Sequence, residues 1–181
     1  MIERIVCVLC GRDGHRASNC PMRGVPTLGA TIGIDPGATT GIAMISNASG
    51  RLLECRSMKI HRAMAWVQGK VRAGVASRIV YEDSRERKWF GTKGREVLQG
   101  AGSIKRDCTI WADFLADMQA EPGEEMGTVQ IIGQRPARGV TKWPAKLFQN
   151  VTGWTEPTNE HARDAAMLIW GRKWPSMKEA A

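Results

Sequence analysis

The sequence lacks any apolar run approaching the roughly 20 residues that a membrane-spanning helix requires. Glu3, Arg4 and early cysteines also interrupt the place where a signal peptide would be uninterruptedly apolar. No membrane partner is expected, and the chain reads as soluble and intracellular. Cysteine is scarce and unevenly placed: of five, Cys7, Cys10 and Cys20 lie close together, while Cys55 and Cys108 are isolated. That spacing excludes a disulfide framework and leaves Cys55 and Cys108 as buried, inert thiols. Acidic residues are the minority sign, 18 against 26 Lys and Arg, for a net charge of +8. A polyanionic partner follows, nucleic acid first among them. No internal repeat or low-complexity tract is present. What remains is 181 residues, enough for one ordinary domain and a small appendage. A domain of about 150 residues buries roughly 68–70% of its unfolded surface, so a real core is expected.

The appendage reads "CVLCGRDGHRASNC", that is C-x2-C-x4-H-x4-C through Cys7, Cys10, His15 and Cys20. Three thiolates and one imidazole at this spacing make a closed tetrahedral set for one structural Zn²⁺, with no open position for catalysis. Gly11 and Gly14 permit the sharp turns between ligands. A segment this short has no core of its own, so metal binding supplies most of its folding free energy. The pattern resembles the retroviral-type CCHC zinc knuckle, a module that grips single-stranded nucleic acid. Val8 and Ala17 stand where that family offers larger side chains for base stacking, while Arg4, Arg12, Arg16 and Arg23 suit phosphates. The expected organisation is a knuckle over residues 1–24, a Pro/Gly-marked linker over 25–30, a main domain over 31–175 and a tail over 176–181.

From Thr31 the chain alternates strand and helix signals. Thr31 to Asp35, Gly41 to Ser46 and Leu52 to Ile60 are short apolar runs separated by "PGATT" and "NASGR", consistent with a three-stranded antiparallel meander. A helix is expected from His61 to about Ala76, a strand over Arg78 to Glu82, and a helix from about Gly94 to Met118. Val97, Leu98, Ala101, Ile104, Cys108, Trp111 and Leu115 recur on the last at intervals of three or four. "TVQIIG" from Thr128 makes a fifth strand, and a closing helix runs from about Glu160 to Trp174. The fold class expected is α/β: a mixed five-stranded sheet flanked by helices.

Asp35 ends the first strand as Glu82 ends the fourth, and right-handed crossovers place those strands side by side and parallel. In "NEHARDAAMLIWG", His161 and Asp164 lie one turn apart on one helix face, with Thr158 or Asn159 as N-cap. If that helix crosses the sheet with its start near the strand ends, Asp35, Glu82, His161 and Asp164 converge. Three carboxylates gathered beside an imidazole repel one another unless cations sit between them. Two Mg²⁺ or Mn²⁺ ions, which favour oxygen ligands, would relieve this and support phosphodiester hydrolysis. Taken singly each residue has a plainer reading: Asp35 as a turn former, Glu82 as a solvated strand end with Asp83 as its rival, and Asp164 as compensation of the helix dipole.

"IGIDPGATTGIA", "IVYE" and "HARDAA", in that order, resemble the three acidic motifs of the RuvC-like Holliday-junction resolvases, RNase H-like proteins, and particularly their short phage-type versions. The resemblance spans roughly Thr31 to Trp174. It implies an RNase H-like fold, and a homodimer that nicks four-way DNA junctions symmetrically and leaves 5′-phosphates. It further implies Asp35, Glu82, His161 and Asp164 as catalytic metal ligands, and the cytoplasm of a bacterial or phage-infected cell as the setting. His161 stands where many relatives carry aspartate. The family's aromatic wedge falls near "EDSRERKWFG", where Trp89 and Phe90 are displaced and Arg85 stands nearer.

The basic and aromatic residues of two segments form the expected DNA-contacting set: Arg85, Arg87, Lys88, Trp89, Phe90, Lys93, Arg95, Lys105 and Arg106, then Arg135, Arg138, Lys142 and Lys146. Their phosphate contacts would make binding strongly salt-dependent. Lys142 or Lys146 is placed to reach the scissile phosphate. Three other readings stay open. One is a non-catalytic adaptor for branched or single-stranded nucleic acid, and another is an RNA–DNA hybrid nuclease. "GIDPGATTG" also resembles the first phosphate loop of actin-like ATPases and sugar kinases, whose two large lobes need a longer chain.

Overall fold

The computed structural model describes residues 29–85, 95–120, 129–136 and 142–172. The expected knuckle with Cys7, Cys10, His15 and Cys20 lies outside the described residues, as do Arg87, Lys88, Trp89, Phe90, Lys93 and Arg138 and the expected tail.

Three antiparallel strands open the fold: β1 (Ala30–Asp35), β2 (Thr39–Ser46) and β3 (Leu52–Lys59). Helix α1 (Ile60–Arg72) leads back to β4 (Ala76–Glu82), the long α2 (Arg95–Ala120) to β5 (Gln130–Gln134), and two short helices follow, α3 (Ala145–Thr152) and α4 (Glu160–Met167). The sheet order is β3-β2-β1-β4-β5. β1 is antiparallel to β2 and β2 to β3, whereas β4 lies parallel to β1 and β5 parallel to β4. This is the mixed five-stranded α/β sheet flanked by helices that the sequence leads one to expect.

The sheet is covered on both faces, and its strands alternate accordingly. Ile32, Ile34, Ile42, Met44, Ile79 and Tyr81 point toward α1 and α2, where they meet Ala63, Val67, Trp111, Leu115 and Met118. Burial of each large apolar side chain contributes about 1.5–3 kcal/mol, so this face holds most of the core. Trp111 is fully buried, packs edge-on against Phe114 at 5.7 Å, and donates its indole N–H to the Thr40 hydroxyl. Ala43, Ile45, Cys55 and Val80 point the other way, toward Phe148, Trp154, Ala162, Ala165, Ala166 and Ile169.

Three expectations need correcting. The closing helix ends at Met167 rather than Trp174. Ile169 N–H turns back to the Ala166 carbonyl, and Gly171 takes a left-handed φ of 67°. The apolar run Leu168–Ile169–Trp170 keeps a helical look because it packs into the core, but the chain there is a tight turn. Similarly α1 stops at Arg72, because Gly74 adopts φ 65° and the backbone reverses into β4 at Ala76. Helix α3 lies between the fifth strand and the closing helix, where the sequence predicts no element. Pro144 precedes it, Phe148 anchors it, and Gly153 ends it in the left-handed conformation. Cys55 and Cys108 are buried free thiols, as expected.

Candidate active site

The site is built at the C-terminal ends of the parallel strands, on the face covered by α4. β1 pairs with β4 as far as Ile34 opposite Tyr81, so the next residues, Asp35 and Glu82, end neighbouring strands about 4.8 Å apart. Strand alternation assigns their face: Val80, two residues before Glu82, belongs to the α4 cluster, and Gly33, two residues before Asp35, lies against the Ala165 carbonyl.

Glycine at two positions lets α4 come this near. A Cβ at Gly33 would collide with the backbone carbonyl of Ala165, and one at Gly41 with that of His161. Gly41 pairs with Asp35 across the antiparallel ladder, so the start of α4 rests directly beside the Asp35 carboxylate. Asn159 caps the helix by accepting from the Ala162 N–H at 3.0 Å, and its amide donates to the Ser57 hydroxyl on β3. Cys55 adds a thiol contact to the Ala162 carbonyl at 3.3 Å. The helix start is thus tied to β1, β2 and β3 at once.

His161 Nδ1 lies 2.9 Å from Asp35 Oδ2, a contact in which an N–H at Nδ1 donates to the carboxylate. Asp164, one turn on, accepts the Lys142 backbone N–H at 3.0 Å. Lys142 reaches this position in the left-handed conformation, φ 77°, the sole non-glycine residue with positive φ among those described. Its ammonium pairs with Glu160 at 3.0 Å, which raises the lysine above its ordinary range and lowers the glutamate below its own. Arg163 completes the frame by donating to the carbonyls of Trp143 and Thr158 at 2.8 and 2.9 Å. Glu82 carries the Ser84 hydroxyl at 3.4 Å, and the Cys108 thiol reaches its backbone carbonyl at 3.5 Å.

Burial pushes the Asp35 carboxyl up to about 6. The hydrogen bond and charge of His161 work against the shift, and the nearby charges of Asp164 and Glu160 add to it. A carboxylate that is partly buried beside two others favours a cation, and oxygen donors of this kind suit a hard divalent ion. Among the described residues, no three His, Cys, Asp or Glu side chains form a ready-made metal cage. His161 occupies one Asp35 oxygen, and Asp164 accepts from the Lys142 amide. Mg²⁺ usually keeps several waters and needs only one or two protein carboxylates beside its substrate, so the donor set fits such an ion without a closed cage.

Of the four residues expected to converge, Asp35 and His161 touch, Asp164 lies one helical turn on with its charge acting on Asp35, and Glu82 ends the neighbouring strand on the same face; among the described residues they do not close on one point. Asp83, the rival acid, is held by Arg85, which donates to it at 2.7 and 2.9 Å and keeps its carboxyl below the usual range. Arg85 is thereby engaged, as is Arg106 with Asp107 at 3.0 Å. Lys105, Arg135 and Lys146 lie on α2, just past β5 and on α3 respectively, and Arg95 begins α2. Sequence reasoning missed Gly33 and Gly41 as close-approach positions. It also missed Arg163 as a strut, although it sits inside "HARDAA". No family model matches the chain, and neither does any curated protein. Among solved structures it is similar to the Thermus thermophilus RuvC structure, at 19% identity over 77% of this chain and 90% of that one, with a TM-score of 0.45.

Proposed function

We propose that this protein is a divalent-metal-dependent endonuclease that resolves four-way and related branched DNA junctions. The observation that carries the reading is the Asp35–His161 contact, with Asp164 one helical turn away and Glu82 on the adjoining strand end. The net charge of +8 supports a polyanionic substrate.

Asp35, Glu82, His161 and Asp164 would hold two Mg²⁺ or Mn²⁺ ions, which supply water activation and stabilise the leaving oxygen of an in-line displacement. The chain's own residues prepare that chemistry. Asp35, partly buried under α4, limits water to the side facing the substrate. His161 holds one Asp35 oxygen and fixes the carboxylate plane. The Lys142 amide sets the rotamer of Asp164, and Arg163 keeps the 142–144 segment against α4. Water adds to phosphorus, the bond to the 3′ oxygen breaks, and a 5′-phosphate and 3′-hydroxyl remain. Two copies acting as a homodimer would give paired, symmetric nicks. The segment 1–24 would add a zinc-bound nucleic-acid grip through Cys7, Cys10, His15 and Cys20.

The test is cleavage of labelled four-way junction, linear duplex, flap and RNA–DNA hybrid in Mg²⁺ and in EDTA. Paired nicks near the crossover, absent in EDTA and in Asp35→Asn, Glu82→Gln or Asp164→Asn, are expected. Preferred digestion of the hybrid would reassign the substrate, and tight junction binding without nicking would make the protein an adaptor.

A further inference from the structure

The acidic centre belongs to a longer row. Gly41 stands opposite Asp35, and Ser57 opposite Gly41. Ser57 faces α4, since its hydroxyl meets the Asn159 cap, as does Cys55 two residues earlier. Lys59, two residues beyond Ser57 and paired with Thr39, continues the row on the same face. Two strand spacings, about 10 Å, separate the Asp35 and Ser57 backbones, which puts Lys59 within a short stretch of polynucleotide from the carboxylates.

At Lys59 the chain passes directly into α1, and Ile60 N–H ties that corner to the Ala38 carbonyl in the turn after Asp35. Lys59, His61 and Arg62 are all exposed, and the first turn of α1 contains no acidic residue. Several cations selected from the sequence as DNA contacts are committed elsewhere: Arg85 to Asp83, Arg106 to Asp107 and Lys142 to Glu160. The corner between β3 and α1 therefore offers a basic cluster on the same rim as the acids, with no acidic residue of its own first turn to offset it.

We propose that Lys59, His61 and Arg62 form a DNA-backbone surface that receives phosphates flanking the cut, on the side of the site away from β4 and β5. This rests on the nuclease reading and adds to it the path of the substrate strand: from the carboxylates across β2 and β3 to the start of α1. Contacts of this kind position the strand and carry no base preference.

The full chain is titrated into fluorescein-labelled four-way junction and matched linear duplex in EDTA, so that binding is read without cleavage. Lys59→Gln with Arg62→Gln is expected to weaken both DNAs about fivefold to tenfold and to make log affinity against log salt shallower by about 1.8, two phosphate contacts' worth. Arg51→Gln, an exposed cation at the other end of the β2–β3 hairpin, is expected to change affinity less than twofold. The thermal midpoint confirms that each variant is folded; should the double variant not fold, Arg62→Gln alone is expected to remove half the change in slope. Native affinity and slope in the folded variants overturn the proposed surface and leave the nuclease reading standing. A native protein that binds neither DNA overturns both.

Discussion

The two faces of the sheet are built to opposite rules. Toward α1 and α2, the strands present Ile32, Ile34, Ile42, Ile79 and Tyr81 to Trp111, Leu115 and Met118. Toward α4 they present Gly33, Gly41 and Ala43, and the helix answers with Ala162, Ala165 and Ala166. Large side chains give the first face its buried area. On the second, the two glycines under α4 bring the helix backbone onto the strand backbone, and that closeness fixes His161 against Asp35. Strand β1, "ATIGID", performs both tasks by alternation, with isoleucines on one side and glycine then aspartate on the other. One face supplies stability and the other supplies position.

Truncation on the bulky face sharpens this contrast most. Leu115→Ala is expected to cost about 2–5 kcal/mol, read as a lower midpoint in urea, with nicking per folded molecule unchanged. Gly41→Ala breaks the contrast from the other side. Its methyl group has no place against the His161 carbonyl, so α4 must shift. A loss of about 3 kcal/mol is expected, with nicking down about 100-fold or more even where the protein is folded.

Asp35→Asn should move stability in the opposite direction. The folded carboxyl titrates near 6 against 3.8 for the ordinary group, so between those values the folded protein holds a proton that the unfolded chain has released. Stability falls as pH rises through that window, and the penalty is complete above about 6. Removing the charge is therefore expected to raise metal-free stability at pH 8 by on the order of 2 kcal/mol, with the gain vanishing below about pH 4. Nicking should be lost at the same time. A thermal melt of native and variant protein across pH, in EDTA, gives the answer. The smallest effect belongs to Lys142→Gly, which keeps the amide that Asp164 needs and relieves a left-handed side-chain residue. Stability should rise by up to about 1 kcal/mol, because the exposed pair with Glu160 contributes little.

Much of the sheet was legible because strand signals are local: β1 to β5 fall within about two residues of their expected places, and of the two candidate caps, Thr158 and Asn159, it is Asn159 that caps α4. Helix ends were less legible. Leu168, Ile169 and Trp170 are apolar for the sake of the core, and periodicity alone did not reveal the turn that Gly171 permits. Helix α3 carries its apolar residues Leu147, Phe148 and Val151 at helical spacing, yet only Phe148 is buried, and no element is expected there. At the site, residue identity was readable and partnership was not. Arg85 closes on Asp83 only two residues away, a local pairing that sequence reasoning missed, whereas nothing local says that the Lys142 backbone rather than its ammonium meets Asp164. That second contact depends on which segments the fold brings together.

The central claim is that Asp35, Glu82, His161 and Asp164 form one divalent-cation centre. Mn²⁺ binding followed by electron paramagnetic resonance tests it without reference to any substrate. Native protein should bind Mn²⁺ in competition with Mg²⁺, and Asp35→Asn and Asp164→Asn should each weaken that binding at least tenfold while the fold persists. Mn²⁺ affinity equal to the native value in both folded variants would contradict the account.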